Sequence, residues 1–177
     1  MRMTPSLPQL TSLESLTLYN CSLIHLPSLT NLKNLTYLNL NGNSLSQLDL
    51  PSNLHALIVS RNQFTEIPIS KELDKLGFLF MSLNPLKTIE PMMLYKNLEA
   101  IAFGDSEITS IPSDIDKLQK LTFIYIHNTT ITHVPKSIFN LPHLQTVKLL
   151  NNLISPEDIQ LIQETFKKTH PNLKLTI

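Results

Sequence analysis

Residues 121–131 read LTFIYIHNTTI, and the spacing inside this stretch decides the fold. Leu121, Ile124, Ile126 and Ile131 occupy its first, fourth, sixth and eleventh positions. Phe123, Tyr125 and His127 stand between them, on the other face of an extended chain, because successive side chains of a strand point to opposite sides. The same spacing recurs in LESLTLYNCSL from Leu13, LTYLNLNGNSL from Leu35, LHALIVSRNQF from Leu54, LGFLFMSLNPL from Leu76, LEAIAFGDSEI from Leu98 and LQTVKLLNNLI from Leu144. The seven starts are separated by 22, 19, 22, 22, 23 and 23 residues, and the four positions are apolar in all seven units. A period of this kind settles the architecture before any site is considered.

The pattern resembles the leucine-rich repeat, L-x-x-L-x-L-x-x-N/C-x-L, over nearly the whole chain. The ninth position holds Cys21, Asn43, Asn62, Asn84, Ser106, Thr129 and Asn152. In this family it forms a ladder of side chains bonded to turn backbone, which keeps buried polar groups satisfied. Cys21 therefore has a structural explanation that competes with any role as a nucleophile or redox thiol. The back halves resemble the shorter typical class, with an apolar-Pro pair at one register: Leu26–Pro27, Ile67–Pro68, Ile111–Pro112 and Val134–Pro135. Proline removes a donor and sets a rigid extended or turn backbone. The resemblance implies an α/β solenoid: a leucine-rich-repeat right-handed superhelix with a curved parallel β-sheet on its concave face and short 3₁₀ or helical turns on its convex face. Residues 1–177 are expected to form one domain. The short unit from Leu35 has a clipped back segment, DLPSN, read as a turn.

The last unit departs from the pattern. In SPEDIQLIQETFKK (155–168), Ser155 is an N-cap, Pro156 opens a helix, and acids fill its first turn. Ile159, Ile162 and Phe166 make one apolar face at helical spacing. His170–Pro171 stops the helix, and Leu173, Leu175 and Ile177 alternate like a strand. A solenoid must cover its open end, so residues 155–177 are read as a C-terminal cap. At the other end TPSLPQLTSL (4–13) looks like the tail of a preceding unit, so the chain is either minimally capped or cut from something longer.

Fourteen basic and fourteen acidic residues give no net charge, which argues against nucleic acid or an acidic membrane as the main partner. MRMTPSLPQL has no apolar run of leader length, and no stretch approaches a membrane span. One cysteine excludes an internal disulfide framework.

Alternation places the third, fifth and seventh positions of each unit on the concave face. Parallel strands lie about 4.8 Å apart, so these positions form rows. The third-position row runs Ser15, Tyr37, Ala56, Phe78, Ala100, Phe123, Thr146; the fifth, Thr17, Asn39, Ile58, Phe80, Ala102, Tyr125, Lys148; the seventh, Tyr19, Asn41, Ser60, Ser82, Gly104, His127, Leu150. Six of the eleven aromatics fall on this face. Phe78 and Phe80 stand on one strand, Phe123 and Tyr125 two strands away, roughly 10 Å off. Ala100, Ala102 and Gly104 between them are expected to floor a trough with exposed aromatic walls, sized for an extended peptide or one large side chain. Asp105, Glu107, His127, Asn128 and Lys148 are placed on its rim. Tyr19, Tyr37 and Asn39 are read as a second, more polar subsite. Aromatics also favour strands for their own sake, but four of them together form an apolar patch of the kind that marks an interaction site. The patch could instead be buried in a homodimer, and a monomer or weak dimer is expected.

Three glycines leave no room for a phosphate-binding loop. His25 and His133 share a register five units apart, too far to hold one metal ion. His127 can reach Asp105 on the preceding strand, a pair that would make binding sensitive to pH, but no nucleophile stands beside it. No enzyme activity, cofactor or metal is expected. The resemblance implies a module that binds a protein or peptide on its concave face. Repeat length, the apolar-Pro register and scarce glycine are more similar to bacterial or cytoplasmic members than to plant receptors. Bacterial pathogens secrete such solenoids as effectors that engage host proteins, sometimes fused to a ubiquitin ligase domain that residues 1–177 do not contain. A cytoplasmic location, or a host cell for an effector, follows from that resemblance. A housekeeping scaffold or regulatory subunit, and the recognition fragment of a larger enzyme or receptor, are the alternatives.

Overall fold

The repeat folds as a stack of eight parallel strands in a computed structural model, which describes residues 6–70 and 73–177. Residues 1–5, which open the stretches read as lacking a leader and as the tail of a preceding unit, lie outside the described residues, as do residues 71 and 72. The strands are β1 (Ser15–Thr17), β2 (Tyr37–Asn39), β3 (Ala56–Ile58), β4 (Phe78–Phe80), β5 (Ala100–Gly104), β6 (Phe123–His127), β7 (Thr146–Lys148) and β8 (Lys174–Thr176). They pair in chain order, each with the next. A right-handed solenoid results, because every unit returns on the same side of the sheet to start its neighbour.

The core is built from the four repeated apolar positions. From β2 to β7 the fourth and sixth residues of every unit, Leu38 and Leu40 through Val147 and Leu149, are at most 1% exposed. In β1, Leu16 and Leu18 are only half-buried, since that strand has a neighbour on one side among the described residues. Behind the sheet the chain forms 3₁₀ turns at Glu90–Leu94, Ile115–Lys117 and Lys136–Asn140. Each drops one apolar side chain, Met92, Ile115 or Ile138, into the core. The back of the short unit, residues 51–54, is a plain turn. Tyr95, 2% exposed, is the largest fully buried side chain. Its hydroxyl donates to the Pro68 carbonyl and accepts from the Ser70 amide, tying two adjacent backs together. Burial pushes this phenol above its ordinary pKa.

The cap forms from local signals. Helix α1 (Pro156–Thr169) starts at Ser155, whose Oγ accepts the Asp158 amide at 3.1 Å, and Glu157 and Asp158 face its positive end. Ile162 and Phe166 are buried against the last back turn, where Phe166 meets Phe139 edge-on at 4.7 Å. β8 then continues the sheet beside β7.

Two turn positions are decided by backbone chemistry. The eighth residue of every unit, Asn20, Gly42, Arg61, Leu83, Asp105, Asn128 and Asn151, adopts a left-handed φ between 50° and 71°. Only one is glycine, and Leu83 at 58° is the least suited to it. The ninth residue carries the ladder. Asn62 accepts the Leu45 amide and donates to the Leu40 and Val59 carbonyls. Asn43 and Asn84 do the same one unit to either side. The expectation that the ladder satisfies every unit fails at Ser106. Its shorter side chain does not span to the preceding unit, and its Oγ is buried without a partner. Thr129 reaches only a side chain, the Asn152 Oδ1.

Candidate functional site

Strand register assembles the expected rows. Tyr37, Ala56, Phe78, Ala100, Phe123 and Thr146 stand side by side, as do Asn39, Ile58, Phe80, Ala102, Tyr125 and Lys148. The structure therefore brings Phe78 and Phe80 to one side of Ala100 and Ala102, and Phe123 and Tyr125 to the other. β5 and β6, the floor and one wall, are the longest strands of the sheet at five residues each.

The walls differ from expectation in being half-buried rather than exposed. Each ring lies edge-on against its neighbour two residues along: Phe78 on Phe80 at 6.4 Å and Phe123 on Tyr125 at 6.3 Å between centroids. Such pairs hold their rings in one orientation before any partner arrives. His55, one residue before β3, extends the first wall by meeting Phe78 edge-on at 5.1 Å. The signal for it was Gly77 at the same register on the next strand: a Cβ there would lie 2.7 Å from the His55 ring.

The floor is shorter than expected. Gly104 is not part of an open trough, because the His127 ring lies over it. A Cβ on Gly104 would sit 1.9 Å from His127 Cε1. The ring is stacked on Tyr125, 4.2 Å between centroids and 9° from parallel, and its Nε2 lies 3.0 Å from Asp105 Oδ2. Ala100 and Ala102 alone form the floor, and His127 closes one end.

The rim is also corrected. Both oxygens of Asp105 are engaged within the fold: Oδ2 faces His127 and Oδ1 accepts from Asn128 Nδ2 at 2.7 Å, while Asn128 Oδ1 accepts from Asn151. This line of side chains positions His127 rather than a ligand. Glu107 faces the other way, into a cleft of about 550 Å³ at the turn edge shared with Leu83, Ser106 and Asn128. Lys148 stands over Tyr125 with Nζ 5.6 Å from the ring centre. Tyr37 and Asn39 are half-buried two strands from Phe78 and Phe80, and Tyr19 beyond them is 54% exposed. Asn39 accepts the Asn41 amide, so its carbonyl oxygen serves the fold.

Among the described residues no three His, Cys, Asp or Glu side chains converge as metal ligands. No helix there is long and apolar enough to cross a membrane.

Comparison with known proteins agrees with the fold. The Leucine Rich Repeat family model matches residues 34–54. A leucine-rich-repeat protein of Leptospira interrogans is 25% identical with a TM-score of 0.67, over 96% of this chain and 50% of that one. The leucine-rich-repeat domain of a Shigella effector is 22% identical with a TM-score of 0.66, over 96% and 83%. The plant peptide hormone receptor RGFR1, solved in complex with RGF2, is 24% identical with a TM-score of 0.69, over 94% of this chain and 28% of the receptor. The chain thus spans half the length of the Leptospira protein. No curated protein matches in sequence. The protein is a leucine-rich-repeat solenoid, and bacterial leucine-rich-repeat proteins are among its structural neighbours. That fold is typical of protein–protein interaction modules and generally serves as a non-catalytic scaffold that binds proteins or peptides.

Proposed function

We propose that residues 1–177 act as one non-catalytic binding domain whose concave face seats an extended segment of a protein or peptide partner. A bulky apolar side chain of that segment enters between Phe78/Phe80 and Phe123/Tyr125 and rests on Ala100 and Ala102. The observation that carries this reading is the paired aromatic walls, rigid and half-exposed, on strands two apart. Since each ring is already half-buried, covering the rest of it is worth about 1 kcal/mol. Against catalysis, the concave-face histidine has Nε2 engaged by Asp105 and Nδ1 buried. The test is a pull-down with the wild type and Phe80→Asp/Tyr125→Asp, matched by circular dichroism. The folded double variant is expected to lose its partners; if it retains them all, the reading is wrong.

The likeness to a Shigella effector domain favours a bacterial effector acting on a host protein inside the host cell, over a housekeeping scaffold or the recognition part of a larger protein. Capture of a specific partner from host-cell lysate is expected. Capture from bacterial lysate alone would remove the effector role and leave the concave-face reading intact.

A further inference from the structure

Beside the second aromatic wall the concave face carries two cations that nothing neutralises. Lys148 lies on β7 next to Tyr125, and β8 adds Lys174 opposite Thr146. Strand spacing and rise put their Cα atoms about 8 Å apart, well within reach of one another's flexible stems. Among the described residues the ion pairs are Lys117–Asp114 on the convex side and His127–Asp105, and neither uses these lysines. Asp105 pairs with His127 through Oδ2 and with Asn128 through Oδ1, not with a lysine. Glu99 stands at the start of β5, in the strand-edge row of Glu14 and His55. The cap therefore completes a positive corner beside an apolar, aromatic surface, while the nearby Asp105 pairs with His127 and Asn128 rather than with either lysine.

We propose that this corner recognises a carboxylate, so that the partner is an acidic segment: an Asp or Glu placed within about three residues of the apolar side chain that fills the trough. The proposal rests on the concave-face reading and names the chemistry of its partner. An ammonium held over the Tyr125 ring already has part of its solvation replaced by the aromatic face. An arriving carboxylate then gains charge-assisted bonds from Lys148 and Lys174 at a site rimmed by apolar surface, where solvent screens them less. A basic or neutral segment leaves both cations uncompensated as the surface is covered, and like charge is disfavoured. Charge thus selects the segment, and the trough anchors it.

The probe is a phage-displayed library of random dodecapeptides, selected on immobilised protein, with enriched peptides resynthesised for affinity measurement. Wild type is expected to enrich peptides that carry Asp or Glu within three residues of an aromatic or branched aliphatic side chain. Their affinity should fall about tenfold in Lys148→Glu/Lys174→Glu and weaken as salt is raised. Lys148→Arg/Lys174→Arg, which keeps the charge and can fork onto a carboxylate, should bind at least as tightly as wild type. Peptides that need the aromatic walls but show no acidic enrichment, or that bind the Glu double variant equally well, overturn the carboxylate proposal and leave the trough standing. Peptides that still bind Phe80→Asp/Tyr125→Asp, or a selection that enriches nothing, overturn both.

Discussion

Units 2 to 4 and units 5 to 6 use the same repeat and hold their turns together in opposite ways. In the first group the linkage is internal: Asn43, Asn62 and Asn84 each bridge two turns from a buried position. In the second group that ladder lapses at Ser106 and Thr129. Side-chain bonds appear instead one residue earlier, at the more exposed turn edge, running from Asn151 to Asn128 to Asp105 and on to His127. The eighth-position residues of the first group, Gly42, Arg61 and Leu83, have no such chain. The polar linkage has moved from serving the turn to orienting a side chain on the concave face. It moved in the units that supply the floor and one wall of the proposed site.

Breaking the internal ladder should have the largest effect. Asn62→Ala leaves the buried Leu45 amide without an acceptor, while the Leu40 and Val59 carbonyls keep Asn43 and Asn84, and should cost about 2–3 kcal/mol in urea denaturation. Ser106→Ala, at the same position of unit 5, removes a buried hydroxyl that bonds nothing and should be neutral or stabilising by up to about 1 kcal/mol. Equal losses from the two substitutions would erase the contrast between the groups.

Tyr95→Phe tests the back of the first group. It leaves the Pro68 carbonyl without its donor and should cost about 1–2 kcal/mol. Because burial raises this phenol in the fold, its contribution is complete below pH ~10 and lost as pH rises through the raised value. The stability gap between wild type and Tyr95→Phe, read from thermal melts at rising pH, should therefore narrow above pH ~10. A gap that stays constant there would mean that the hydroxyl is not buried as described.

The smallest effect is expected at the turn edge. Leu83 holds φ at 58°, a region where a side chain like leucine is strained, and it is 41% exposed, so little burial is at stake. Leu83→Asn should raise stability by about 1 kcal/mol, since asparagine tolerates this conformation. A loss instead would show that Leu83 is held there by packing.

The sequence by itself determined the solenoid, its core, the concave rows and the cap helix. Each rests on spacing repeated seven times or on local capping chemistry, and Ser155 needs no distant residue to start a helix. It also placed Phe78, Phe80, Phe123 and Tyr125 on one face, because alternation along a strand leaves no choice. Tertiary structure alone decided that His127 lies over Gly104 and shortens the floor, that Asp105 is tied to Asn128 as well as His127, that His55 joins the first wall, and that Lys174 arrives beside Lys148. These depend on side-chain rotation and on contacts between residues some twenty or more positions apart. A periodic pattern says which face a residue takes; only the packed neighbours say where its side chain comes to rest.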